Sequence, residues 1–122
     1  MPHTQEIRTG YIYALVDPRD TKVRYVGQTT RTLQARFQEH LNGGLACNPS
    51  AATRKERWIG QLGCLNLRPI LRVLEQPPLS ALDARERSWQ HWYARQQRMT
   101  VVGQGFLVPS LGHAAPVWTR GY

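Results

Sequence analysis

The chain is predicted to be an α/β (α+β) domain with a small three-stranded antiparallel central sheet flanked by helices, in the order β-β-α-α-β-α. Three observations predict this. Tyr11 to Val16 and Lys22 to Gly27 are short runs rich in aromatic and β-branched residues, joined by the turn residues Asp17-Pro18-Arg19-Asp20. Leu33, Phe37 and Leu41 recur every fourth residue, which is the buried stripe of a helix. A second long helix is expected from Ser80 to about Arg98, after the break at Pro77-Pro78.

A chain of 122 residues, 41% of them hydrophobic, fits one domain with one modest core. We expect a core at about residues 10–102 and a Gly/Pro-rich tail at 103–122. The formal charge of +8 is carried almost wholly by arginine, since lysine occurs only at positions 22 and 55. Such a surface attracts polyanions, and guanidinium groups suit bidentate phosphate contacts. No apolar run is long enough to span a bilayer and no leader pattern opens the chain, so a cytoplasmic protein without a membrane partner is expected. Cys47 and Cys64 lack the spacing and histidine neighbours of a zinc site and read as reduced structural thiols.

Residues Met1 to Thr9 are polar and patternless, a lead-in or mobile arm. Alternation along the first two strands puts Tyr11 and Tyr13 on one face, and Val23 and Tyr25 on one face of the next strand, so the hairpin gathers tyrosines. Thr30 or Thr32 can cap the first helix, and Gly43-Gly44 is expected to stop it. On that helix Arg36 and His40 are i, i+4 neighbours at the edge of the apolar stripe. Leu45 to Ala52 reads as a loop.

Thr53-Arg54-Lys55-Glu56 has the spacing of a capping box, and Trp58, Ile59 and Leu62 supply a short helix ending at Gly63. Arg54, Lys55 and Arg57, with Arg31 before them, either form a solvated basic face or track a phosphate backbone. Ile70 to Glu75 is strand-like. Thr100 to Val102 is expected to be an edge strand or loop.

In the last helix Leu82, Glu86, Trp89 and Tyr93 share one face. An ionised carboxylate on the packed side costs several kcal/mol in practice unless it meets a cation, a donor or a metal. Glu86 is therefore either one half of a salt bridge or a functional group. His3, His91 and His113 sit in no ligand-like spacing and read as surface or packing residues.

In this order the motifs resemble the GIY-YIG nucleases. The first signature reads Tyr11-Ile12-Tyr13, the second Tyr25-Val26-Gly27, the helix carries Arg36 and His40 as Arg-x-x-x-His, and the late helix carries Glu86 followed by Trp89. The similarity covers roughly Gly10 to Val102. Two departures stand out. The glycine of the first signature is Tyr11 here, with Gly10 one position early. The family's Asn after the Glu helix falls where this chain reads Val101-Val102-Gly103-Gln104.

The resemblance implies a metal-dependent DNA endonuclease in which Glu86 binds one Mg²⁺ (or Mn²⁺), Arg36 stabilises transition-state charge, Tyr13 takes the proton of the attacking water, His40 accepts or relays it, and Tyr25 positions the phosphate. DNA, duplex or branched, is the implied partner, with a homodimer or a targeting subunit as a further possible partner, and any sequence specificity is expected to come from the loop at Leu45 to Ala52, the tail or another subunit. The missing Asn keeps open a second reading, a nucleic-acid-binding module with weak or lost catalysis. A third is a domain that assembles with a protein partner through its Trp-containing tail.

Overall fold

The computed structural model describes residues 8–46 and 53–110. Strands β1 (Tyr11–Val16) and β2 (Val23–Thr29) form the expected hairpin. Then come α1 (Leu33–Ala46), α2 (Arg54–Cys64), β3 (Ile70–Glu75), α3 (Leu82–Gln97), β4 (Met99–Val102) and β5 (Phe106–Pro109). The sheet has five strands rather than three, ordered β3-β1-β2-β5-β4, with every pairing antiparallel. The expected edge strand or loop at Thr100 to Val102 is the edge strand β4, which forms a hairpin through Gly103 and Gly105, both at positive φ, with β5, a strand from the stretch that reads as tail. Residues 111–122, which hold the rest of the expected tail, lie outside the described residues, as do the lead-in at 1–7, Cys47 and most of the expected loop.

β1 is buried on both faces and divides two cores. On one side Ile12, Ala14, Val16, Val23 and Val26 pack against Leu82, Met99 and Leu107. On the other, Tyr13, Leu15 and Tyr25 pack against Leu41, Trp58, Ile59 and Leu62. Val23 and Tyr25 therefore face opposite sides, contrary to strict alternation. A bulge is the reason: Leu15 pairs with Tyr25 but Val16 with Val23, so Arg24 is an extra residue that reverses the facing.

At that bulge the side chain of Gln97 satisfies the strand. Its Oε1 accepts from the Val23 amide and its Nε2 donates to the Val23 carbonyl, both at 2.8 Å. Gln90, two turns earlier on α3, donates to the Val26 carbonyl at 3.2 Å.

The helices follow the sequence signals, with corrections at their ends. Thr32 accepts from the Ala35 amide and opens α1, and the Thr53/Glu56 capping box is complete. Gly43-Gly44 does not stop α1, which runs to Ala46. Gly44 instead admits α2, since a Cβ there would collide with an Ile59 methyl. α2 ends at Cys64, an exposed free thiol and not a core one. α3 opens from a 3-10 turn at Leu79–Ala81 without a side-chain cap. No helix among the described residues is long and apolar enough to cross a membrane.

Asp17, wholly buried at the hairpin turn, ties β1 to α2. It accepts from the Arg19 amide, Nε and Nη2 at 2.9, 3.0 and 2.8 Å and from Trp58 Nε1 at 3.0 Å. Hydrogen bonds from Arg19, joined by the one from Trp58, hold its carboxyl well below the usual range against the cost of burial. Asp17→Ala leaves the buried indole N–H without an acceptor and is expected to cost about 2 kcal/mol in urea unfolding at pH 7. Because the folded-state value is depressed, this stability is present above the ordinary carboxylate range and is lost as pH falls below it. A variant that unfolds at the wild-type urea concentration would contradict the tie.

Candidate active site

Tyr13 and Tyr25 reach the same side of the sheet because the register between them is regular, with Tyr13 opposite Gly27 and Leu15 opposite Tyr25, and α1 lays His40 across both. Ring centroids are 6.2 Å apart for the two tyrosines, 5.7 Å for Tyr13 and His40, and 5.1 Å for Tyr25 and His40. All three residues are buried. Gly27 faces Tyr13 across the ladder and leaves the room they fill: a Cβ there would meet Tyr25 Cε2 at 2.6 Å and the Tyr13 hydroxyl at 2.7 Å.

The Tyr13 hydroxyl lies 2.6 Å from His40 Nε2. Burial, then the neighbouring Tyr25, pushes the Tyr13 phenol well above its usual range, so it keeps its proton. Burial, reinforced by the charges of Lys55 and Arg36, pulls His40 down to about 3. At neutral pH His40 is thus neutral, and in the tautomer that carries its hydrogen on Nδ1 its Nε2 accepts from the Tyr13 hydroxyl. That buried Nδ1 has no hydrogen-bond partner among the described residues.

Arg36 is half-buried beside the two phenols, and its charge favours their ionised forms. Glu39, one turn on, pairs with it at 3.0 Å and with Arg31 at 2.6 Å. Arg31 is therefore engaged by a carboxylate on the exposed flank of α1. Sequence reading missed Glu39, although its i, i+3 spacing from Arg36 is a recognisable signal. Glu39→Gln frees two guanidinium groups and is expected to tighten DNA binding several-fold at low salt, with less effect at high salt, by fluorescence anisotropy.

Lys55 Nζ sits 5.0 Å from the centroid of the Tyr25 ring, and burial with the Arg36 charge lowers its pKa. Lys55, Arg36, Arg54, Tyr25, Phe106 and Gln104 line a cleft of about 580 Å³. Gln104 thus stands at the cleft from the position where the resemblance expects Asn. Arg57 lies instead along an adjoining groove with Arg19, Arg24 and Arg54.

Glu86 comes from the opposite layer. It is half-buried, and burial raises its carboxyl above the ordinary value of 4.5, with Gln28 opposing and Asp83 adding to the shift. Its charge also contributes to raising Tyr25, which puts the two within electrostatic reach. Gln28 Nε2 donates to Glu86 at 3.1 Å and to Asp83 at 2.6 Å. Gln28, next to the second signature, was not singled out from sequence.

Among the described residues no group of three His, Cys, Asp or Glu side chains encloses a metal. A partly desolvated carboxylate with no salt-bridge partner among those residues fits a hard, mostly hydrated cation shared with a phosphate, and not a cation caged by protein ligands.

The family model described as the GIY-YIG catalytic domain matches residues 9–99. No curated protein and no solved structure gives a match.

Proposed function

Because the chain belongs to the GIY-YIG nuclease superfamily, we propose that it is a metal-dependent DNA endonuclease acting at the cleft between α1, α2 and β2. The observation that carries this is the short contact between a phenol kept protonated and a histidine kept neutral, beside a half-buried arginine. Water bound at the Tyr13 oxygen gives that oxygen a proton as Tyr13 passes its own to His40 Nε2. Neither residue has to exist as an isolated anion. The imidazolium so formed is opposed by Lys55 and Arg36 until the substrate phosphate offsets their charge. Arg36 meets the charge that develops on the phosphoryl oxygens, and the Tyr25 hydroxyl orients the phosphate. Mg²⁺ or Mn²⁺ held by Glu86 would polarise the phosphate and stabilise the leaving oxygen. Arg54, Lys55 and Arg57 supply the backbone track, with Arg31 as a reserve released from Glu39.

The test is nicking of supercoiled plasmid by the full chain with Mg²⁺ or Mn²⁺, abolished by EDTA. DNA binding without nicking under either metal favours the second reading, a binding module that has lost catalysis along with the family's Asn. The pH profile adds a sharper check. A depressed His40 stays a free base as pH falls through 6.5, so kcat/KM is expected to show no histidine limb there. A limb near 6.5 that disappears in His40→Gln would overturn the neutral-histidine relay.

A further inference from the structure

The outward face of α3 carries features the cleft does not use. It forms an open depression of about 950 Å³ on the other side of the sheet from Tyr13 and His40, lined by Arg85, Arg87, His91, Trp92 and Arg95 among others, and by no acidic residue. Arg87, His91 and Arg95 follow at i, i+4 spacing and make one stripe about 12 Å long. Neither Arg87 nor Arg95 forms a salt bridge among the described residues.

Trp92 stands beside the stripe, 42% exposed. It is braced from below: its ring meets Tyr93 edge-on at 4.9 Å and Trp89 at 5.9 Å. Trp89 is itself pinned by Glu75, which accepts from Trp89 Nε1 at 2.9 Å and from Arg85 Nε at 2.8 Å. The exposed indole is therefore held in place before any ligand arrives.

An occupant of this face must offer negative charge at the arginines and a flat apolar surface at the indole. A single nucleic-acid strand offers both, whereas a duplex hides its base faces inside the stack. Resting on the nuclease reading, we propose that the α3 face is a single-strand DNA subsite in which a base stacks on Trp92 while Arg87 and Arg95 hold flanking phosphates. The preferred substrate is then a DNA with an unpaired segment.

The test uses the full chain in EDTA, where cleavage plays no part, with a labelled oligo-dT and a blunt duplex of equal length. Trp92→Ala is expected to weaken oligo-dT binding about tenfold and to leave the duplex within twofold, with Trp92→Phe close to wild type. The double variant Arg87→Gln/Arg95→Gln is expected to lower the slope of log affinity against log salt by about 1.4 for oligo-dT. Should Trp92→Ala not fold, Trp92→Leu keeps the apolar bulk without the ring and carries the same expectation. Equal loss on both DNAs, or no loss on oligo-dT, overturns the subsite. So does a wild-type dimer that Trp92→Ala turns into a monomer, because the occupant is then a second copy. Trp92-dependent oligo-dT binding without plasmid nicking would leave the subsite standing and remove the nuclease reading; nicking with Trp92-independent binding would do the reverse.

Discussion

Gly27→Ala is expected to slow plasmid nicking by about 100-fold, because shifts near 1 Å in reacting groups cost that much. The added methyl would stand 2.6 to 2.9 Å from Tyr25 Cε2, the Tyr13 hydroxyl and the Tyr25 hydroxyl. Two of these atoms belong to the groups proposed to handle the proton and the phosphate, and neither ring has slack, since both are packed against His40. Overpacking of this kind costs about 1–3 kcal/mol. Urea unfolding should therefore show a folded but weakened protein, with the Tyr13–His40 contact broken or lengthened. Nicking within fivefold of wild type would mean that the two phenols do not need their present spacing.

Glu86→Ala is expected to do the opposite to stability and worse to activity. Loss of nicking on the order of 10³-fold follows if this carboxylate is the protein's hold on the cation. Titration of Mn²⁺ by electron paramagnetic resonance should show the protein's bound signal disappear with it, a readout independent of turnover. Burial holds the Glu86 carboxyl above its ordinary value, so its charged form is unfavourable in the fold. Its removal should leave stability unchanged or raise it by roughly 0.5 kcal/mol, as at sites where function opposes stability. A variant that keeps full Mn²⁺ binding would sink the assignment.

Much of this arrangement was legible in the order of residues. The β1–β2 hairpin, the apolar stripe of α1, the capping box of α2 and the inward Glu86 all rest on local rules that the structure obeys. What escaped depended on long-range contacts. β5, beyond the expected edge segment at Thr100 to Val102, has only four residues after Gly103 and Gly105, too few for alternation to register, and it is held by pairing with β2 and β4. The bulge at Arg24 is likewise invisible in a period-two pattern, yet it puts Val23 on the opposite face from Tyr25. α1 continues through two glycines because α2 needs the close approach, a tertiary demand that overrides propensity. Glu39 and Gln28 matter through what they touch, not through any motif of their own.

The two glutamines of α3 act as dowels. Apolar packing alone lets a helix slide along a sheet at little cost, but Gln97 and Gln90 bond to the main chain of β2 at two points a few residues apart. Sliding α3 by one residue would break all three bonds and leave main-chain groups of β2 unpaired, a cost of about 1–3 kcal/mol for each. Glu86 lies one turn before Gln90, and Tyr25 sits between the two pinned residues of the strand. The position of α3 along β2, and of Glu86 with it, is therefore gauged by hydrogen bonds to the backbone and not by the shape of the apolar side chains alone.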